Sequence, residues 1–336
     1  MYFKLLLSAI LMAVFFTGCG DSKTVRIDDS APEIYLNGQS ELNIIQFNEY
    51  VEYGAFAIDD VDGEVEVSIE GSVDTSTLGT YLINYTAVDS KLNSSTISRT
   101  VNIVEEGSEV HTNIDVLVLY SAGAKSDPIL GGSDVETFIT HMFTSANQIF
   151  ESSEAYVNLN VVHMMEYDMD DSLSSDVVLG QIKDDSNIST IRNTYKADEV
   201  VIFRPYANDG MCGVAYLNNL FSVNYAYAHV SIDCTAKTLA HEIGHNLGLD
   251  HGYMGGSDEP HLQGLYYYSI GHFVEDVFGT VMTYASQYST PYEYVFSNPT
   301  LDCINGLACG IFPGEDRAAD ATSTIVEVKQ RVSEFK

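Results

Sequence analysis

The chain reads as two folded units, a small all-β sandwich over residues 28–104 and an α/β domain over residues 112–336. The second is expected to carry a mixed, mostly parallel twisted sheet. Three observations predict this. The 336 residues are enough for two domains of roughly 100–200 residues each. The first stretch alternates apolar and polar side chains with a period of two, punctuated by turn residues. The second alternates β-branched apolar runs with stretches of helical periodicity, the pattern of a sheet with helices on its faces.

In the first unit, Val65-Glu66-Val67-Ser68-Ile69 and Tyr81-Leu82-Ile83-Asn84-Tyr85 predict strands, and Asn37-Gly38, Asp62-Gly63 and Leu78-Gly79 predict turns. Short strands at this spacing suggest a sandwich. Asp59, Asp60 and Asp62 bring oxygen ligands to one turn, but they lack the full ligand ladder of a calcium loop. A solvated turn is expected there. Calcium stays possible on charge alone, without support from a motif.

A polar linker, Glu105 to Ser108, separates the units. Ile114 to Tyr120 is β-branched and apolar throughout, as in a buried strand. Ser133-Asp134 caps a helix expected to run to about Glu154, with Phe138, Met142, Ala146 and Ile149 on one face. Further strands are predicted at Val157 to Met165, Glu199 to Phe203 and Tyr225 to Ile232. One or two helices are expected from Asp176 to about Lys196, and a closing helix from about Arg317 to Phe335.

Charge removes several function classes. Fifteen basic against 48 acidic residues leave −33, which argues against nucleic acid and against charge-driven binding to an anionic membrane. It fits solubility in a salty exterior. At the N-terminus, Lys4 precedes an apolar run from Leu5 to Phe16, too short for the roughly 20 residues that span a bilayer. Thr17 and Gly18 then precede Cys19. This resembles a bacterial lipoprotein signal, with Phe16 where such signals prefer Leu. The resemblance implies a signal peptide over residues 1–18, lipidation of Cys19 and a tether over residues 19–27. Contact with the membrane would then be through that anchor alone, in the cell envelope, at an outer membrane or the cell surface. Four further cysteines allow three pairings. Nearness in sequence favours Cys212 with Cys234 and Cys303 with Cys309, and an exported protein favours disulfides over free thiols.

The chemistry is concentrated in His241-Glu242-Ile243-Gly244-His245-Asn246-Leu247-Gly248-Leu249-Asp250-His251. A helix opening at Thr235 stacks His241 and His245 on one face, because residues four apart lie one turn above each other. Two imidazoles so placed can reach one metal. Glu242 lies beside them, where it can address a water. Gly248 permits a left-handed break, and the chain can fold back so that His251 supplies a third ligand. Three protein ligands leave an open position, as in catalytic rather than structural zinc. Downstream lies Gly279-Thr280-Val281-Met282-Thr283-Tyr284. The other histidines, His111, His141, His163, His229, His261 and His272, lack ligand spacing and read as ordinary surface or packed residues.

The extended histidine motif followed by that methionine turn resembles the metzincin zinc metallopeptidases. The resemblance implies a metzincin catalytic domain over residues 112–336. It implies one catalytic Zn²⁺ on His241, His245 and His251, Glu242 as general base, and Met282 as an apolar floor beneath the ligands. Protein or peptide substrates follow from it. Met211-Cys212-Gly213-Val214-Ala215-Tyr216-Leu217, Cys234 and Phe296-Ser297-Asn298-Pro299 resemble bacterial relatives of the reprolysins, the adamalysin-related group. Animal reprolysins usually carry Asp after the third histidine and Pro two after the methionine, where this chain has Gly252 and Tyr284. Tyrosine at the latter place resembles astacins and serralysins, which implies a movable metal ligand that can donate to an oxyanion.

The first unit resembles bacterial immunoglobulin-like surface modules, in Pro32-Glu33-Ile34, Gly54-Ala55-Phe56-Ala57 with Asp62-Gly63, and Tyr85-Thr86-Ala87-Val88-Asp89. This leaves an alternative function, an adhesin or binding lipoprotein whose protease-like domain is inert. An inert relative would tend to have lost Glu242 or a histidine, and all are present. A thiol latency switch supplied by the first module is excluded, since no cysteine lies between Cys19 and Cys212.

Overall fold

The computed structural model describes residues 28–37, 40–48, 50–105, 111–253, 263–285 and 289–336. The predicted signal, the tether, Cys19, His261 and most of the linker lie outside the described residues, as does Gly38 of the Asn37-Gly38 turn. No helix among the described residues is long and apolar enough to cross a membrane.

The first unit is two facing sheets. β1 (Glu33–Leu36), β3 (Ala55–Asp59) and β4 (Gly63–Val65) form one, in the order β1-β3-β4. β2 (Glu41–Ile45), β5 (Val67–Glu70), β6 (Gly79–Val88) and β7 (Ser94–Val104) form the other, in the order β2-β7-β6-β5. Ile34, Ala57, Ile83, Tyr85 and Ala87 pack between them. The run Val65 to Ile69 is not one strand. Val65 pairs with Ala57 in the first sheet and Val67 with Ala87 in the second, so the chain changes sheets at Glu66. A single alternating pattern serves both, because each sheet buries one face of it.

The second unit is built on a five-stranded sheet. Its strands are β8 (Thr112–Tyr120), β9 (Val157–Glu166), β10 (Glu199–Arg204), β11 (Gly213–Ala215) and β12 (Tyr227–Ser231). Their order is β11-β12-β10-β8-β9, parallel except for β11, which runs antiparallel to β12 at the edge. β8 shows why its sequence is apolar without alternation. Ile114, Val116, Val118 and Tyr120 face one core and Leu117 and Leu119 the other. The first core lies under α2 (Val135–Ser152), α5 (Ala236–Asn246) and α6 (Ala321–Val332); the second lies under α3 (Ser175–Asp184) and α4 (Ser186–Tyr195). A four-residue helix, α1 (Ala122–Lys125), follows β8.

Two boundaries differ from expectation, each for a local reason, and a third element is decided between its alternatives. α2 stops at Ser152 because Glu154 takes a left-handed φ of 59°. α6 starts at Ala321 rather than near Arg317. Ala319 is held in a bridge to Ile311, and Asp320 caps the helix by accepting from Ser323 N–H at 3.0 Å. The region from Asp176 to Lys196 is two helices that meet at Asp185, whose carboxylate accepts from Asn187 N–H at 2.7 Å.

α5 carries the histidines. Thr235 occupies its N-cap position, but its hydroxyl makes no capping bond. Leu239, Ala240, Ile243 and Leu247 are fully buried, and each large one contributes about 1.5–3 kcal/mol of apolar burial. The helix ends where Gly248, at φ 86°, turns left-handed; Leu249 N–H then donates back to Gly244 O at 3.0 Å. A Cβ on Gly248 would lie 3.3 Å from the Leu265 Cβ. Gly248→Ala should therefore destabilise the zinc-loaded protein by about 1–2 kcal/mol, the cost of an L-residue in that conformation. Urea unfolding reads this, and an unchanged midpoint would refute the strain.

Candidate metal centre

The break at Gly248 returns the chain toward α5 and places a third imidazole against the first two. His251 Nε2 lies 3.1 Å from His241 Nε2 and 3.1 Å from His245 Nε2. Two backbone carbonyls set the protonation of this cluster. His241 Nδ1 is 2.8 Å from Val281 O, and His245 Nδ1 is 2.7 Å from Leu249 O. Each carbonyl only accepts, so each Nδ1 must carry the hydrogen. The Nε2 lone pairs of both histidines are thereby turned inward, with no proton between them. Burial holds both rings below the usual histidine range, His241 well below it, so the neutral, ligating form is favoured.

A hydrogen on His251 Nε2 could serve only one of these two contacts, whereas a cation among the three nitrogens satisfies both. The donor set fits a divalent metal. Ligands about 2.0–2.1 Å from zinc in a tetrahedron stand roughly 3.3 Å apart. One nitrogen from each of the three rings lies within 4.8 Å of the other two.

The methionine turn has two roles here. Its residue Val281 supplies the carbonyl that orients His241. Met282 is fully buried, and a Cβ on Gly244 would come within 2.7 Å of its sulfur. Gly244 lies in α5 between the first two histidines, so the thioether packs against the helix that bears them. Tyr284 follows the turn with its hydroxyl 2.8 Å from His251 Nε2. Burial, then the charges of Glu242 and Asp250, push that phenol up to about 12, which keeps its proton available for donation.

Glu242 is 5% exposed, and burial pushes its carboxyl up to about 8, while the Lys237 ammonium pulls it down. A bound cation acts in the same direction as Lys237. The carboxylate rests on the backbone of β11: a Cβ on Gly213 would lie 2.6 Å from Glu242 Oε1 and 2.7 Å from its Cγ. β11 did not emerge from the sequence as a strand, because three residues are too few to show a period. The disulfide Cys212–Cys234 fastens it, with an S–S distance of 2.04 Å and a Cα–Cα distance of 5.8 Å. Closing that loop contributes about 3 kcal/mol. Cys303 and Cys309 are also bonded, at 2.09 Å, in the loop before α6.

Two further residues escaped the sequence reading. Asp250 accepts from His251 N–H at 2.7 Å and from Gln263 N–H at 3.0 Å, and so fixes the loop that presents His251. Asn246, fully buried, donates from Nδ2 to Tyr216 O and Tyr225 O at 2.9 Å each, joining α5 to the two ends of the segment between β11 and β12. Asp250 adjoins the third ligand and Asn246 follows the second. No periodicity distinguishes them from ordinary polar residues. His229 lies fully buried in β12, where its Nε2 accepts from Arg204 Nε at 3.0 Å.

The contact between Gly213 and Glu242 is testable. Gly213→Ala should leave metal content and fold intact, since the nearest atom is the end of a side chain that can swing away. Displacing that carboxylate should lower hydrolytic turnover by about 10²-fold, the lower end of a general base's contribution. Metal analysis together with a peptide assay decides it, and full turnover would show that the carboxylate's seat is unimportant.

The comparisons with known proteins agree with this geometry. Residues 137–252 match the family described as metallo-peptidase family M12B, reprolysin-like. Residues 34–103 match the bacterial surface protein Ig-like domain. A peptidyl-Asp metalloendopeptidase of Pseudomonas aeruginosa is 28% identical over 244 residues, covering 66% of this chain and 40% of the relative. The chain thus spans well under half the length of that relative. A chain in the structure of a chaperone–substrate complex superposes with a TM-score of 0.54 at 24% identity, over 74% of this chain and 40% of that one, a likeness of fold. Residues 137–252 are thus similar to reprolysin-like metallopeptidase domains, and residues 34–103 before them are similar to the Ig-like domain of bacterial surface proteins.

Proposed function

We propose that the chain is a zinc-dependent endopeptidase of metzincin type, exported and acting at the cell envelope. The observation that carries this is the convergence of three inward-facing imidazole nitrogens beside a buried carboxylate. His241, His245 and His251 would hold the ion. When bound, zinc supplies Lewis acidity, bringing the pKa of water toward about 7 and polarising a peptide carbonyl. The carboxylate of Glu242 takes the proton of the attacking water at one oxygen and delivers it to the leaving amine nitrogen. The hydroxyl of Tyr284 donates to the oxyanion as the carbonyl carbon becomes tetrahedral. Val281 O and Leu249 O keep His241 and His245 in the ligating tautomer throughout. The Ig-like domain and the disulfides support an extracytoplasmic location, and the lipid anchor at Cys19 rests on the sequence of the signal alone.

Glu242→Gln should keep the metal and lose hydrolysis by about 10²–10⁴-fold. Tyr284→Phe should keep the metal and KM while kcat falls about 10²-fold. Stopped assays on a peptide library, with metal content measured alongside, check both. Full activity in Glu242→Gln would overturn the mechanism, and full kcat in Tyr284→Phe would reduce that tyrosine to packing.

The substrate reading follows from one cation. Lys237 lies one helical turn before His241, with its ammonium 4.2 Å from the centre of the Tyr292 ring. Its charge acts on both His241 and Glu242. The whole chain repels anions at −33, so an acidic substrate needs a local positive charge. The Pseudomonas relative is described as a peptidyl-Asp enzyme. We infer that this enzyme cleaves next to an acidic side chain, which Lys237 pairs with. Lys237→Met should then lower kcat/KM for an Asp-containing peptide about 10- to 100-fold, the worth of one charge-assisted hydrogen bond. The Asn-containing isostere should change little. Equal losses on both peptides would remove Lys237 from recognition.

A further inference from the structure

The turn between β3 and β4 is solvated from Asp60 to Gly63, as its sequence suggests, but the aspartate that opens it is not. Asp59 is 3% exposed. Its Oδ1 accepts from Val61 N–H at 2.9 Å and Asp62 N–H at 2.8 Å, which closes the turn. Its Oδ2 is buried and has no hydrogen-bond partner. Asp28, on the segment that leads into β1, buries both carboxylate oxygens without a partner. Asp60 accepts from Ser30 Oγ. One carboxylate oxygen from each of Asp28, Asp59 and Asp60 lies within 4.8 Å of the other two.

Three carboxylates at this spacing are unfavourable as they stand. Burial raises the Asp28 carboxyl above the usual range, and among the described residues the side chains of Asp59, Asp89, Asp62 and Asp60 act in the same direction. Asp62 and Asp89 are committed elsewhere. Asp62 accepts from Ser90 N–H at 2.7 Å, and Asp89 accepts from Lys91 N–H and Asn93 N–H at 2.8 Å each. They add negative potential without filling the gap. Buried carboxylates are normally paired or bound to metal. Asp59 thus brings to the cluster a buried oxygen that no hydrogen bond satisfies.

We propose that Asp28, Asp59 and Asp60 form a calcium site in the Ig-like domain, which ties the segment entering β1 to the β3–β4 turn. The donor chemistry selects the ion. All three side-chain ligands are oxygen, which disfavours zinc, whose sites are built from nitrogen and sulfur. Calcium accepts six to eight oxygens in adaptable geometry, whereas magnesium demands a tight octahedron and keeps its waters. The three carboxylates offer up to six oxygens, one of which already closes the turn, and backbone carbonyls or water complete the shell. The ion would order the entrance of the Ig-like domain, so that what precedes it leaves in a fixed direction. This lies outside the peptidase centre and does not depend on it.

The test uses the zinc-loaded full chain, so that the histidine centre is already filled. Calcium chloride is titrated by calorimetry, and amide exchange is followed at Val61 and Asp62. One calcium per chain is expected, with a Kd of about 10⁻⁴–10⁻³ M, the range of extracellular modules, and slower exchange at both amides. Asp59→Asn keeps the Oδ1 that closes the turn and removes the unpartnered charge; it should weaken binding at least about tenfold, as for loss of one charged ligand. Asp28→Asn, outside the turn, should do the same and covers the case in which the first variant folds poorly. Zinc content should not change in either. No calcium uptake by the wild-type chain, undiminished uptake in Asp28→Asn, or an equal response to magnesium chloride would each overturn the proposal.

Discussion

The Nε2 of His251 held 3.1 Å from those of His241 and His245, whose lone pairs face inward, is an arrangement a protein pays for in repulsion and desolvation. The rest of the catalytic domain is arranged to maintain it. Val281 O and Leu249 O hold two of the rings by their outer nitrogens, which fixes both tautomer and direction. Asp250 holds the backbone of the third. The supports come from two stretches of chain, so the cluster exists only when α5, the left-handed break and the methionine turn are all in place.

The same logic explains the glycines around the site. Gly244 admits the Met282 sulfur against the helix, Gly213 admits the Glu242 carboxylate against the edge strand, and Gly248 supplies the left-handed turn. In the first two the missing Cβ is space that a functional side chain occupies. The last is a backbone requirement. Burial then tunes the groups so gathered. It keeps the His241 and His245 rings neutral and raises the Glu242 carboxyl and the Tyr284 phenol.

The two domains use buried carboxylates differently. Glu242 is a lone acid whose counter-charge is Lys237 on the same helix, together with the metal its neighbours can hold. The buried Asp59 stands with Asp28 and the exposed Asp60, and among the described residues the side chains acting on Asp28 are carboxylates. The first arrangement suits proton transfer, which needs one carboxylate of adjustable pKa. The second suits a hard cation, which needs several oxygens at once.

Much of the catalytic site was legible in the sequence because its information is local. His241 and His245 share a helix face by spacing, Gly248 marks the break, and His251 falls within reach of one turn. The order of strands and helices was legible too, since β8 is apolar on both faces and α2 on one. What the tertiary structure decided are the relations between residues far apart in the chain. Val281 meets His241 across 40 positions, and Gly213 meets Glu242 through a strand too short to have a period. Asp28 meets Asp59 because β1 pairs with β3 in one sheet, which sets the segment before β1 beside the β3–β4 turn. A sequence fixes which residues can act; which of them share a cavity, and so feel each other's charge, depends on packing that no local pattern records.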